Sequence, residues 1–252
     1  MKRGETLAVV AATLIALGVA LGVSVSEETR DDDAEIIISA HNCRGAGPQA
    51  DGSVRFQPPC PISTPSPDGR WTIIQTPPTG GEEEIYNVLV KDPDGRTLGS
   101  IPDANDGMPL TLRWSPRRDW FLINHYRGSG LEQPRVFQIT LSGVVEHRRH
   151  LEVGLAQAHR ISRCLPVDKI EASGSGLKWS RDGRRLAWAY VTRPDMCVFY
   201  GDMSGPIPAD KQWKPFLMIS DVDTGAVVAD SIRLLPDDGK WDFPTDGPYA
   251  DF

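Results

Sequence analysis

The chain has 252 residues and a formal charge of −7. That acidic balance excludes a generic nucleic-acid binder, which needs a basic surface to displace counterions, and it argues against docking on anionic lipid. With hydrophobic residues at 40% of the sequence, the chain is long enough to bury the core of one domain.

Met1, Lys2 and Arg3 open the chain with positive charge, and Thr6 to Ser26 then carries none. This is the pattern of an export signal. The apolar run is also long enough to remain as a membrane anchor, with everything after Ser26 on the outside. Residues 1–26 are therefore read as signal or anchor, 27–35 as an acidic tether (Glu27, Glu28, Asp31, Asp32, Asp33, Glu35) and 36–252 as the folded domain. The expected location is extracytoplasmic, periplasmic or secreted, with any inner-membrane tie made by residues 6–26 alone.

Four cysteines, Cys43, Cys60, Cys164 and Cys197, suit an oxidising compartment and allow three pairings. None forms a Cys-x-x-Cys pair, so a zinc ribbon or thioredoxin-like site is not expected. Two structural disulfides are expected instead, and the pairing Cys43–Cys60 is local.

Three segments share one turn and strand pattern. They are Ser66-Pro67-Asp68-Gly69-Arg70-Trp71, Ser115-Pro116-Arg117-Arg118-Asp119-Trp120 and Ser180-Arg181-Asp182-Gly183-Arg184-Arg185, each followed by an apolar strand. Leu112 and Leu177 stand two residues before Trp114 and Trp179, the spacing of a half-buried strand. Asp-Gly supplies the turn, because Gly tolerates positive φ and Asp bonds its own backbone. The second copy departs from this with Arg117-Arg118-Asp119. A hairpin signal recurs downstream at Asp92-Pro93-Asp94-Gly95, Ser142-Gly143 and Asp221-Val222-Asp223-Thr224-Gly225. Each unit thus predicts four short antiparallel strands, the content of one propeller blade. The tryptophans at 71, 114, 120, 179 and 188 occupy fixed places in the unit and are expected to pack it. Trp213 and Trp241 lie outside that register and are expected as exposed contacts.

The third unit carries about 16 extra residues near 193–214, and a second insertion lies between Gly143 and Leu177. Each holds one cysteine. Closing a long loop is where a disulfide stabilises most, on the order of 3 kcal/mol, so Cys164–Cys197 is the second expected pair.

"STPSPDGRWTII", "LRWSPRRDWFLI" and "LKWSRDGRRLAWAY", with hairpins such as "ISDVDTGAVV", resemble the WD-like repeats of Tol-B-like β-propellers over roughly residues 63–229. The resemblance implies a propeller that binds proteins or stands beside an enzyme, and implies no reaction. The expected fold is all-β: a small propeller of about four blades, or an open partial one completed by oligomerisation. In the closed form, Ile36-Ile37-Ile38 and Val54-Arg55-Phe56 pair in one blade with strands beginning at Ile232-Arg233-Leu234-Leu235.

Motifs for chemistry are sparse. The Asp-x-Asp pairs at 92/94 and 221/223 end in Gly but lack a bidentate Glu, and read as turn residues. His147 and His150 do not form His-Glu-x-x-His, and on a strand they would face opposite ways. No metal, cofactor or catalytic residue is assigned. The segment from Glu146 to Arg163 is a local basic patch in an acidic protein, with a short helix expected around Leu151, Val153 and Leu155. Arg148, Arg149, His150, Arg160, Arg163 and Trp213 are the candidate binding residues, set against the ordinary reading of a solvated loop face. The expected function is a non-catalytic protein-binding or scaffold module of the cell envelope, possible as a homo-oligomer. The alternative is an extracytoplasmic hydrolase or lyase with a site at the channel mouth, where His125 and Asp119 would be the first residues to inspect.

Overall fold

The computed structural model describes residues 43–76, 87–104, 107–128, 131–162, 172–192, 214–236 and 240–252, all within the compact unit Ser39–Phe252. The apolar N-terminal segment, Ile36-Ile37-Ile38, Arg163, Cys164, Cys197 and Trp213 lie outside the described residues. Among the described residues no helix is long and apolar enough to cross a membrane.

In chain order the elements are β1 (Gly47–Pro48), β2 (Val54–Phe56), β3 (Ile62–Pro65), β4 (Thr72–Thr76), β5 (Asn87–Lys91), β6 (Thr97–Ser100) and β7 (Leu110–Trp114). Then come β8 (Trp120–Tyr126), β9 (Glu132–Thr140), β10 (Gly143–Glu146), helix α1 (Arg149–Ser162), β11 (Ala172–Trp179), β12 (Arg185–Thr192), β13 (Phe216–Asp221) and β14 (Arg233–Leu234). They form three antiparallel sheets: β3-β4-β5-β6 (sheet 1), β1-β2-β7-β8-β9-β10 (sheet 2) and β11-β12-β13-β14 (sheet 3). Among the described residues the fold is all-β apart from α1 and a 3-10 turn at Gly247–Tyr249. The first two sequence units supply the four strands that their turn and hairpin signals predict, and the third supplies its first three.

One turn geometry serves all three units. The amides of Gly69, Arg118 and Gly183 donate to the carbonyls of Ser66, Ser115 and Ser180. Their φ values are 72°, 70° and 69°. Arg118 therefore stands in the left-handed conformation that glycine occupies in the other two copies, and the departure in sequence changes the strain but not the turn.

The terminal strands depart from the expected blade closure. β2 pairs with the free edge of β7, Val54 opposite Leu112, whereas β14 pairs with β13, Phe216 opposite Leu234. They join different sheets and do not pair with each other. Arg233-Leu234 thus completes the third unit rather than opening a fourth, and Ala226-Val227-Val228, expected as its last strand, forms only a bridge from Val227 to Ser220.

Alternation along the strands builds three cores. From β8, Phe121 and Ile123 enter the core shared with Ile73, Val88 and Val90 of sheet 1. Trp120 and Leu122, on the other face, meet Trp188, Tyr190, Phe216 and Met218 of sheet 3. Ala158, Leu155 and Ile161 of α1 pack into that second core. Beyond sheet 3, Trp241, Phe243, Tyr249 and Phe252 cover Leu217 and Ile219. Trp120 and Trp188 are buried, and Trp71, Trp114 and Trp179 are partly buried against the cores, so the repeat tryptophans pack as expected. Trp241 does not serve as an exposed contact, because it packs on the outer face of sheet 3.

The buried stripe of α1 is His150, Gly154, Gln157 and Ala158, at the i, i+4, i+7, i+8 spacing of one helix face. Leu151, Val153 and Leu155, which announced the helix, are only partly buried. Small residues take the inner face because the rings of sheet 3 fill the space: a methyl group on Gly154 or Gly174 would overlap the Tyr190 ring.

Candidate functional site

A cleft of about 210 Å³ opens where β8 ends and β9 begins, between the chain leaving β6 and the approach to α1. Arg135 is its anchor. This residue interrupts the apolar run of β9 and is 7% exposed, so its charge requires a partner. Its Nε and Nη2 donate to Glu146 Oε1 and Oε2 at 2.9 and 3.0 Å. Its Nη1 donates to the Pro102 carbonyl at 2.6 Å, and the guanidinium lies 5.0 Å from the Phe137 ring centre. Burial alone would raise the Glu146 carboxyl; the bonds and charge of Arg135, with the nearby Arg148, overcome it and hold the group below its usual range.

The rim is looser. Arg148 reaches Glu146 through a 3.4 Å contact and is 70% exposed. Arg127 is exposed, Gln133 and Leu151 complete the wall, and Asp103 faces them from a residue with φ of 53°. Such an array is suited to charge pairing and planar hydrogen bonding, since a guanidinium fork matches a carboxylate edge-on.

The sequence-derived patch is divided by the fold. Arg148 belongs to the cleft. Arg149 lies instead over Gly225 in the β13 hairpin. Arg160 is exposed near the far end of α1, about 16 Å along the helix from Arg149. His150 cannot be a contact residue: it is 1% exposed and turned onto β13. The i, i+3 histidines straddle the start of α1, His147 just after β10 and His150 in the first turn, and His147 packs on Trp120 at 4.4 Å between ring centres. Asp103, Arg127 and Arg135 escaped the sequence reading. The one signal available was Arg135 itself, a charge two residues before Phe137 on the same strand face.

Asp119 and His125 sit at opposite ends of β8, about 20 Å apart along the strand, and His125 is fully buried. They form no joint site. The first aspartate of each Asp-x-Asp pair is occupied locally: Asp92 accepts from the Asp94 and Arg96 amides, and Asp221 accepts from Thr224. No group of three metal-ligating side chains occurs among the described residues.

A second polar cluster joins sheets 2 and 3. The Asn124 side chain exchanges both hydrogen bonds with the Gly176 backbone, at 2.8 and 2.9 Å. Beside it the Ser175 hydroxyl donates to Glu132, whose amide donates to Ser173 Oγ at 3.0 Å. Burial pushes the Glu132 carboxyl up, with Ser175 and the charge of Arg113 opposing.

Cys43 and Cys60 are bonded, 5.6 Å apart at Cα, as the local pairing predicted. The bond ties the start of the domain to the segment before β3 and fits an oxidising compartment. Comparison with protein-family models, curated proteins and solved structures finds no match.

Proposed function

We propose that this protein is an exported, non-catalytic binding module on an open propeller-like scaffold, and that its arginine cleft engages a carboxylate presented by a protein partner in the cell envelope. The observation that carries the reading is the division of labour in the cleft. Arg135 and Glu146 neutralise each other inside, while Arg148, 70% exposed, presents its guanidinium at the rim beside the exposed Arg127. Loops carried on fixed sheets are suited to recognition. The Cys43–Cys60 bond supports extracytoplasmic residence. The successive four-strand units support the propeller-like arrangement, with residues 240–252 on the outer face of sheet 3.

The test is site-specific photocrosslinking in intact cells from position 151, beside the rim, with position 142 on the β9–β10 hairpin as reference. A discrete protein adduct at 151, absent at 142 and lost on adding Arg148→Glu, is the expected result. An adduct pattern unchanged by Arg148→Glu refutes the cleft as the contact. A second copy of this chain in the adduct would make the module a homo-oligomer.

The Glu132–Ser175 pair supports a second reading, a hydrolase or lyase. An elevated carboxyl beside a hydroxyl is suited to proton donation. Turnover of a glycoside or ester substrate panel, abolished by Glu132→Gln, would favour it; equal activity in the variant would remove it.

A further inference from the structure

Helix α1 is fastened to sheet 3 by a histidine whose hydrogen bonds dictate its charge. His150 Nε2 lies 3.2 Å from the Val222 carbonyl oxygen, and Nδ1 lies 2.9 Å from Ser220 Oγ. A carbonyl only accepts, so Nε2 carries the proton and Nδ1 of the neutral ring accepts from the Ser220 hydroxyl. The Trp188 indole N–H, a donor only, fills the remaining role at Ser220 Oγ from 2.7 Å. The chain of donors runs one way, from Trp188 through Ser220 and His150 to Val222. It is satisfied in full only while the ring is neutral. A proton on Nδ1 would turn the Ser220 hydroxyl away and place a charge in a site closed to water.

The surrounding charges do not reverse this. Burial pulls the imidazole down, the Val222 carbonyl and the Asp221 carboxylate favour the cation, and His147 opposes it; the ring ends at about 4. His147 is itself lowered, by burial with Asp223 opposing. Asp223 is paired with Arg117 at 2.7 Å. Arg149 lies across Gly225, and Arg184 contributes its carbonyl to the Val222 amide.

Among the described residues little else holds the first turn of α1. Arg149 and Glu152 are exposed and Leu151 is half-buried, so His150 is the buried side chain of that turn; Gly154, Gln157 and Ala158 anchor the helix farther along. We propose that His150 is a proton-operated latch: acid releases the first turn of α1 from β13 and moves Arg148 and Leu151, one wall of the arginine cleft, with it. The latch stands whatever the cleft binds, so its failure is separate from that of the binding reading. In the released state the ring regains its ordinary value near 6.5. The closed state therefore holds its full advantage above pH 6.5 and loses it as pH falls toward 4.

Hydrogen exchange on the purified full chain tests this. Protection of the amides at 150–155, corrected for intrinsic exchange, is expected to be about 70-fold lower at pH 4.5 than at pH 7.5, while β8 and β12 stay protected. His150→Gln keeps a donor and an acceptor but does not titrate, and flattens the response. Should that variant not fold, Ser220→Ala takes its place. It removes the donor to neutral Nδ1, so the closed-state ring protonates at higher pH and the response, still beginning near pH 6.5, becomes smaller. Unchanged protection between the two pH values, a response retained in His150→Gln, or equal loss on β8 and β12 would each overturn the latch.

Discussion

On one face of sheet 2, sheet 1 packs directly; on the other, sheet 3 and α1 together fill the interface. The direct contact is an aliphatic and aromatic core, with Phe121 stacked on Phe137 at 5.1 Å and Trp114 edge-on at 5.5 Å. The sheets approach closely enough for Gly99 to lie against Val144. The helix side is equally buried but mixed. It holds His150, Ser220, Gln157 and Asn124 among its rings, and it needs Gly154 and Gly174 to admit Tyr190. Two sheets can meet through alternating apolar residues alone, whereas a helix inserted in the wedge must be pinned. Here the pins are hydrogen bonds and shape, which makes one interface a source of stability and the other a place where conditions can act.

The comparison can be broken or sharpened in order of size. Phe121→Ala removes the centre of the direct contact and should cost about 3–5 kcal/mol in urea unfolding of the full chain. A cost under about 1 kcal/mol would mean that the two sheets do not share that core. Acid should weaken the helix side through His150. The unfolded chain binds the His150 proton below about pH 6.5 and the folded chain below about 4, so unfolding at pH 4 should lie about 3 kcal/mol below its value at pH 7 on this account. His150→Gln should remove that part of the pH dependence. Next come the two glycines. Gly154→Ala drives a methyl into the Tyr190 ring and should lose about 2 kcal/mol despite better helix propensity. Gly99→Ala meets Val144 Cγ2 at 3.3 Å, a neighbour able to shift, and should lose about 1 kcal/mol or less. Equal losses would erase the distinction between the faces. The smallest effect touches neither face: Arg118→Gly relieves a left-handed arginine and should raise stability by about 0.5–1 kcal/mol, read as a higher midpoint.

Much of the scaffold was legible because its causes are local. Asp68-Gly69 and Asp182-Gly183 announce turns, the apolar runs after them announce strands, and Cys43 and Cys60 lie close in sequence. The cleft was not. Arg148 stood out within a basic run, but its companions Asp103, Arg127 and Arg135 come from three other connections and strands, each an unremarkable charge in sequence. His150 misled for a related reason. Its neighbours Arg148 and Arg149 are exposed, and a helix turns each successive residue by about 100°, so one member of a basic run can face the core while the others face water.

By itself, then, the sequence determined the core of the repeated unit: its first three strands, a serine-led turn and a Gly-terminated turn after the third, each set by side chains within a few residues of one another. Tertiary structure alone decided where the terminal strands pair, that α1 occupies the wedge, and that His150 meets Ser220 from 70 positions away. Strand pairing and burial are settled by which surfaces exclude water together, and no local pattern in the chain encodes which distant edge will be left free to accept them.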